Sequence, residues 1–549
     1  VPAPDVVVTS DPTLPPQGYR LRIGADAVHL EGADDAGVFY GRVTLRQLSR
    51  VHGGRLPLGT VEDWPDLAVR AVMLDVSRDK VPTIATLRDL IDRLASWKVN
   101  QVQLYMEHTF AYRGHEEVWR DSSPFTPDEI GELEGFCRER HVELVPNQNC
   151  LGHMERWLQH DRYRPLAIAP EGWTDRRGRH RAPTTIDPAK PGSLALVRDL
   201  LRQLLPCFGS ARVHVGLDEP WELPDDRFGE YLEWLGRVRH LEELDGWETL
   251  MWGDIVARHP DLLGEIPDGM TVCEWGYEAG HPFEARAAAL ASARQPFWVC
   301  PGTSSWNTLV GRLTNAIDNC REAAAAAIEH AADGYLITDW GDNGHLQYLP
   351  VSEPAFAYGA AVSWCLDTNG DLVGDDLAAA LSLHAFADSS GSMADSLLAL
   401  GDVHRRVVPQ VANMSVLAMH LYYPQLVIGT GFTEGLTDDD LLAADETIVE
   451  AIAGLAGSSS DRPDGKLIVD ELTTSASLLR ILVADARARL TVDGRITSVP
   501  GDVRVRLAAG VDEIIVRHRD LWLARNRPGG LDDSVARLER LRAAYLPRT

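Results

Sequence analysis

The sequence predicts an α/β protein: a (β/α)8 TIM barrel over residues 69–366, preceded by a small α+β domain (1–68) and followed by a helical C-terminal region (367–549). Three observations predict it. Between Arg70 and Leu366 about eight short apolar runs alternate with amphipathic stretches of helical period, the pattern of a parallel sheet wrapped by helices. Each run is continuously apolar rather than alternating, as a strand buried on both faces requires. Outside these limits the pattern changes, to mixed periods of two and about 3.6 before residue 68 and to helical periods alone after residue 367.

The first domain reads as strands VVVTS, GYRLRIG and AVHLEG, a helix AGVFYGRVTLRQLSRV, and an extended LPLGTVEDWP. The barrel strands are then AVMLDVS (71–77), NQVQLYM (100–106), VELVPNQ (142–148), RVHVGLD (212–218), ETLMWGD (248–254), MTVCEWGY (270–277), PFWVCPG (296–302) and GYLITDW (334–340). Helices such as IATLRDLIDRLASWK, PDEIGELEGFCRER and NAIDNCREAAAAAIEHAA fall between them. A doubly wound sheet would carry a phosphate-binding glycine fingerprint after its first strand, and LDVSRDK has none. In the last region DDDLLAADETIVEAIAGLAG, IVDELTTSASLLRILVADARARL and SVARLERLRAAY read as helices, and GSSSDRPDG (457–465) as its most exposed loop.

The 549 residues carry a formal net charge of -28, which opposes affinity for nucleic acid or anionic lipid, because phosphate binding needs concentrated Lys and Arg. A neutral small-molecule substrate fits better. No apolar run approaches the ~20 residues that span a bilayer. Seven cysteines without CxxC spacing read as scattered thiols rather than a disulfide framework or zinc site, and the histidines lack HExxH spacing, so neither metal nor organic cofactor is expected. The opening VPAPDVVVTS has neither a basic nor an apolar leader segment, which suits a cytoplasmic protein or one whose signal has been removed. A helical tail of this length offers a surface for a homodimer.

In such a barrel the active site lies at the C-terminal ends of the strands. Polar residues collect there: Asp75 and Arg78, Glu107 and His108, Asn147 to Asn149 with His153, Asp218 and Glu219, Trp252 and Asp254, Glu274 to Tyr277, Ser304 to Asn307, and Trp340 to His345. The strongest is VHVGLDEPW. Adjacent residues of a regular strand point to opposite faces, so Asp218 and Glu219 share a site only if the strand ends between them, and Pro220 favours that ending. Two carboxyls held together split their pKa values, leaving one as general acid and one ionised, as glycosidic cleavage requires. An arbitrary Asp-Glu pair is usually a solvated loop; its place at a barrel strand end favours chemistry here. Trp252, Trp275 and Trp340 close three different strands, where indoles suit both an apolar acyl group and the C–H face of a sugar.

HVGLDE resembles the H-x-G-x-D-E motif of glycoside hydrolase family 20, the β-N-acetylhexosaminidases. RAVMLDVSRD resembles that family's R-G-x-x-L-D-x-S-R segment, and VPNQNCLGHMERW its P-x-x-x-x-x-G-H segment. The stretch E-H-T-F-A-Y (107–112) is nearer the hexosaminidase D type. The resemblance covers roughly residues 18–365 and implies an exo-acting, retaining β-N-acetylhexosaminidase in which the substrate's 2-acetamido oxygen attacks C1 to form an oxazolinium. It implies Glu219 as general acid and base, Asp218 as the group orienting the acetamido N–H, and Arg70 on the 3- and 4-hydroxyls. It also puts His153 beside the acid, Trp252, Trp275 and Trp340 in the acetamido pocket, and Asp342, usually a Glu, on a sugar hydroxyl with shorter reach. Glu107 stands near the family's acidic residue after strand two. The family's acetamido-binding tyrosine has no counterpart in PGTSSWNTLVG, where Tyr277, or Trp306 with Asn307, is expected to substitute. Terminal β-linked GlcNAc and GalNAc are both admissible substrates.

Two other readings are open at this level: a conventional glycosidase with Glu219 as acid and Glu274 or Asp342 as nucleophile, and an inactive sugar-binding protein on the same fold.

Overall fold

The computed structural model describes residues 5–175, 178–224 and 227–546. At the N-terminus, strands β1 (Asp5–Ser10), β2 (Tyr19–Ile23), β3 (Ala27–Gly32) and β4 (Gly59–Asp63) form a sheet in the order β1-β3-β2-β4, with β1 parallel to β3 and the rest antiparallel. One helix, Asp35–Val51, covers it, started by the Asp34 carboxylate accepting the Gly37 N–H. Its Gly37, Tyr40 and Gly41 face the sheet, and Tyr40 packs with Tyr19, Leu21 and Leu30 into a separate core.

The barrel follows the order in which its strands occur: β5 (Arg70–Asp75), β6 (Gln101–Met106), β7 (Glu143–Gln148), β10 (Arg212–His214), β11 (Glu248–Trp252), β12 (Met270–Trp275), β13 (Phe297–Cys300) and β14 (Gly334–Asp339). All pairings are parallel and β14 closes on β5. A small hairpin, β8 (Trp173–Thr174) with β9 (His180–Arg181), sits in the long connection from β7 to β10. All eight expected barrel strands are present, as is the α+β unit before them.

Strand alternation divides the residues of β5. Val72 and Leu74 join the core between barrel and helices, whereas Ala71 and Met73 point inward with Tyr105, Leu250, Trp252, Trp298 and Leu336. The interior is thus a packed plug, and Asp75, of inward parity, emerges at its upper end. After β11 the usual helix shrinks to Asp254–Ala257 and a 3-10 segment, Pro260–Glu265.

Beyond the barrel come helices only, the longest being Gly465–Leu490 and Gly501–Arg525. They are fastened to the barrel flank by charged pairs with little solvent contact: Arg525 to Glu471 at 2.7 Å inside the region, and Arg462 to Glu353 and Arg527 to Glu129, at 2.7 and 2.8 Å, across to the barrel. The loop 457–465 is not the most exposed one, because Arg462 plugs it onto Glu353 and the Ala385 carbonyl while Ser460 donates to Phe386. A helix not expected from the sequence, Val416–Tyr422, lies between breaker-rich segments that mask its short period. No described helix is long and apolar enough to cross a membrane.

Candidate active site

Strand β10 ends at His214, four residues before the carboxyl pair. The backbone then leaves the extended region: φ is +70 at Gly216, +75 at Leu217 and +46 at Glu219. Left-handed conformations at two non-glycine residues cost energy and persist only where the surroundings enforce them. Their effect is to turn Asp218 and Glu219 to the same side, which regular strand alternation forbids. Gly152 makes room for this turn, because a Cβ there would collide with the Asp218 carbonyl oxygen, and a Cβ on Gly216 would enter the Asn149 amide.

Asp218 is 6% exposed. Its Oδ1 accepts from Asn149 Nδ2 at 2.7 Å and its Oδ2 faces His153 Nε2 at 3.2 Å. Burial favours the neutral acid, but His153 and Asn149 together hold Asp218 below its ordinary value, so it is the ionised member. Glu219 behaves oppositely: burial, only partly countered by His153 and reinforced by Asp218 and Asp342, pushes it up to about 7. The same burial, with Asp218 and Glu219 nearby, pushes Asp254 up to about 8 while its Oδ2 accepts the Glu219 backbone N–H at 3.3 Å. His153 resists burial through Asp218 and rises to about 10, with Nε2 also 3.6 Å from Glu219. The two adjacent carboxyls are thus shifted in opposite directions, Asp218 toward the ionised form and Glu219 toward the neutral acid.

Across the cavity, Arg78 follows the end of β5. Its guanidinium donates to Asp75 at 2.8 Å, lies 3.6 Å from Glu107 and 3.8 Å from Asp342, and stacks near Tyr105 and Trp340. Glu107, which accepts from the Tyr105 hydroxyl at 3.0 Å, is pushed up to about 7 by burial against the pull of Arg78 and His153. Arg70 is not part of this group. It is the first residue of β5, at the opposite mouth of the barrel and about 17 Å of extended chain from Asp75. There it donates to the carbonyls of Lys98 and Leu67 at 2.9 and 2.8 Å and to Gln17, with Tyr40 and Trp364 on its faces. Arg70 thus clamps the N-terminal domain to the barrel, and the forked cation in the cavity is Arg78.

The aromatic residues form one continuous wall. Trp340 Nε1 donates to the Tyr277 hydroxyl at 2.8 Å, Trp275 stacks on Tyr277 with 5.0 Å between centroids and an 18° tilt, and Trp252 lies 5.7 Å from Trp340. Trp306 meets Tyr277 edge-on at 5.1 Å and is 1% exposed, so it backs the wall rather than lining it. Gly302 allows this, because a side chain there would strike both rings. Tyr277, two residues past the end of β12, thus stands against Trp306 of the loop after β13. Asn307 is turned elsewhere, toward Asn343 and the Asn413 carbonyl. Glu274 is also turned away: neighbours Cys273 and Trp275 join the inner cluster, while Glu274 faces the helices and is held by His281 and Arg286 at 3.0 and 2.7 Å. It cannot serve as a nucleophile, and Asp342 faces Arg78.

Two grooves flank Glu219. One, about 820 Å3, runs between the β8–β9 hairpin and the loop carrying Trp221; the other, about 410 Å3, is lined by Trp275, Tyr277 and Asn413. Strand-end position alone would have selected Arg78 and Asn149. Asn413 comes from the distant helical region and carried no sequence signal.

Comparison with known proteins gives two family matches. Residues 2–64 match the family description "Glycosyl hydrolase family 20, domain 2" and residues 68–248 match "Glycosyl hydrolase family 20, catalytic domain". A beta-hexosaminidase of Akkermansia muciniphila is 28% identical over 235 residues, 39% of this chain and 47% of that protein. Hexosaminidase D of Bos taurus is 24% identical over 324 residues, 53% of this chain and 90% of that protein. In fold, the GH20 beta-N-acetylhexosaminidase of Streptomyces coelicolor matches with a TM-score of 0.54 at 20% identity, covering 69% of this chain and 83% of the other.

Proposed function

From the premise that the chain belongs to glycoside hydrolase family 20, we propose that it is a retaining exo-β-N-acetylhexosaminidase that releases terminal β-linked GlcNAc or GalNAc by substrate-assisted catalysis. The observation that carries the reading is the convergence of Asp218 and Glu219 on His153 in one cavity, at 3.2 and 3.6 Å and with pKa values shifted in opposite directions, beside an aromatic wall that suits an acetyl group.

In the first step Glu219 donates its proton to the glycosidic oxygen while the acetamido carbonyl oxygen attacks C1 and the C1–O bond to the leaving group breaks. Asp218, ionised and fixed by Asn149 and His153, accepts the acetamido N–H and stabilises the positive charge that develops in the oxazolinium ring. The methyl group rests against Trp340 and Tyr277, backed by the buried Trp252, and the Tyr277 hydroxyl donates to the acetamido oxygen. In the second step the Glu219 carboxylate takes a proton from water, the hydroxide oxygen attacks C1, and the ring opens with net retention. Arg78 and Asp342 hold the hydroxyls of the terminal sugar. The carbohydrate substrate is the only partner this chemistry needs.

The test is release of p-nitrophenol from the β-GlcNAc and β-GalNAc glycosides, with a thiazoline mimic of the oxazolinium as inhibitor. Asp218→Asn and Glu219→Gln should each lower kcat by about 10²–10⁴-fold, and the thiazoline should compete with substrate. Cleavage of a glycoside lacking the acetamido group at the same rate, without thiazoline inhibition, would overturn the mechanism.

A further inference from the structure

The helical region reaches into the barrel mouth through one turn. Val411 and Met414 form an antiparallel bridge, leaving Ala412 and Asn413 at its tip, and Asn413 adopts φ +58, a conformation that asparagine tolerates better than most residues. The turn is tied down by its backbone. Glu278 accepts the Asn413 N–H at 2.6 Å, Arg312 donates to the Val411 carbonyl at 3.1 Å, and Asn307 donates to the Asn413 carbonyl at 3.2 Å. Arg312 and Glu278 are themselves paired at 2.6 Å.

These bonds use the main chain and direct the Asn413 side chain to the cavity. Its amide favours the ionised form of Asp342 against the burial that raises that carboxyl, and Asn413 lines the groove shared with Glu219, Trp275 and Tyr277. We infer that Asn413 is a specificity-determining residue of the terminal-sugar pocket, its amide joining Asp342 in binding a sugar hydroxyl remote from the scissile bond. The inference rests on the function proposed above. A carboxylate only accepts hydrogen bonds, whereas an amide both donates and accepts, so the pair can satisfy both lone pair and proton of one hydroxyl. A site built this way discriminates against a sugar whose hydroxyl is inverted or missing, because the donor and acceptor placed for that hydroxyl then lose their partner. The helical region thereby becomes part of the active site.

The experiment compares the full chain with Asn413→Gly, which fits the positive φ and keeps the backbone bonds while deleting the amide, and with Asn413→Asp, which keeps the size but places a second acceptor beside Asp342. Hydrolysis is measured on p-nitrophenyl β-GlcNAc, β-GalNAc and the 4-deoxy and 6-deoxy β-GlcNAc analogues, and binding of free GlcNAc by calorimetry. Expected for both variants are a KM for β-GlcNAc at least fivefold higher with kcat within threefold, and a changed β-GalNAc to β-GlcNAc ratio. One deoxy analogue should lose at least threefold less in the Gly variant than in the wild type. Variants with KM, epimer ratio and deoxy penalties all within twofold of wild type overturn the inference and leave the proposed function standing. A wild type that neither hydrolyses nor binds GlcNAc removes the proposed function and this inference with it.

Discussion

The Nε2 of His153 lies 3.2 Å from the Oδ2 of Asp218, and this contact favours the ionised form of Asp218. His153 lowers Asp218 and also opposes the rise of Glu219. Removing it by His153→Ala should therefore raise both carboxyl pKa values and move the pH profile of kcat/KM upward, with the acidic limb moving most. The loss of kcat/KM should be largest at the acidic end of the profile, where Asp218, no longer held down by His153, takes up its proton first. The pH profile of the variant is the measurement; an acidic limb that stays in place would assign His153 a purely structural role.

The alkaline side belongs to Glu219. Its carboxyl, pushed up to about 7 chiefly by burial, must be protonated to act as acid, so kcat/KM should fall as pH rises through about 7. Stability follows the same proton. With Glu107 up to about 7 and Asp254 up to about 8, the folded chain retains protons that the unfolded chain releases above about pH 4.5. The stability tied to these neutral carboxyls is complete below the unfolded pKa and is lost as pH rises through 7 to 8. Glu219→Gln removes its share of that loss, and its Tm relative to wild type should rise by roughly 1–3 °C between pH 5 and pH 8, measured by calorimetry.

Arg70 and Arg78 separate what periodicity makes legible from what it does not. The strands and the helices followed from apolar runs, because burial on both faces leaves a direct mark on the sequence, whereas the strand expected over 212–218 already ends at His214. Which of two arginines eight residues apart enters the cavity depends on which end of β5 is the mouth and on inward parity. Asp75 shares the parity of Met73, whereas Arg70 has a partner in Gln17 that no local pattern links to it. Likewise Asn413 reaches the pocket through a turn held by Glu278, Arg312 and Asn307, contacts that span 99 to 135 residues of sequence. The two arginines should accordingly fail differently. Arg70→Ala should destabilise the fold by about 3–5 kcal/mol, leaving buried carbonyls unpaired, with KM of the folded enzyme unchanged. Arg78→Ala should raise KM and lower kcat/KM by at least tenfold. Denaturation curves beside kinetics distinguish them.

Gly152 offers a test of the strained backbone. A methyl group there would press on the Asp218 carbonyl oxygen and displace residues 217–219 from their left-handed conformations. Gly152→Ala should keep the barrel but lower kcat by about 10²-fold, since small misplacements of catalytic groups have effects of that order. Circular dichroism unchanged with activity lost is the expected pair of results.

Trp221, 53% exposed and two residues after Glu219, opens the larger groove, whose far side is the β8–β9 hairpin with Trp173 and Arg181. If Glu219 protonates the leaving oxygen as proposed, the groove beside it receives the aglycone. A volume of about 820 Å3 accommodates more than one sugar ring, and an exposed indole suits the C–H face of a pyranose. Trp221→Ala should lower kcat/KM for a β-linked GlcNAc disaccharide by about tenfold while leaving hydrolysis of the β-GlcNAc fluoride within twofold, since fluoride has no ring to stack. Equal losses on both substrates would instead mean that Trp221 positions Glu219, a role that the intervening Pro220 and the Trp221 N–H donated at 2.7 Å to the Glu219 carbonyl would then have to transmit.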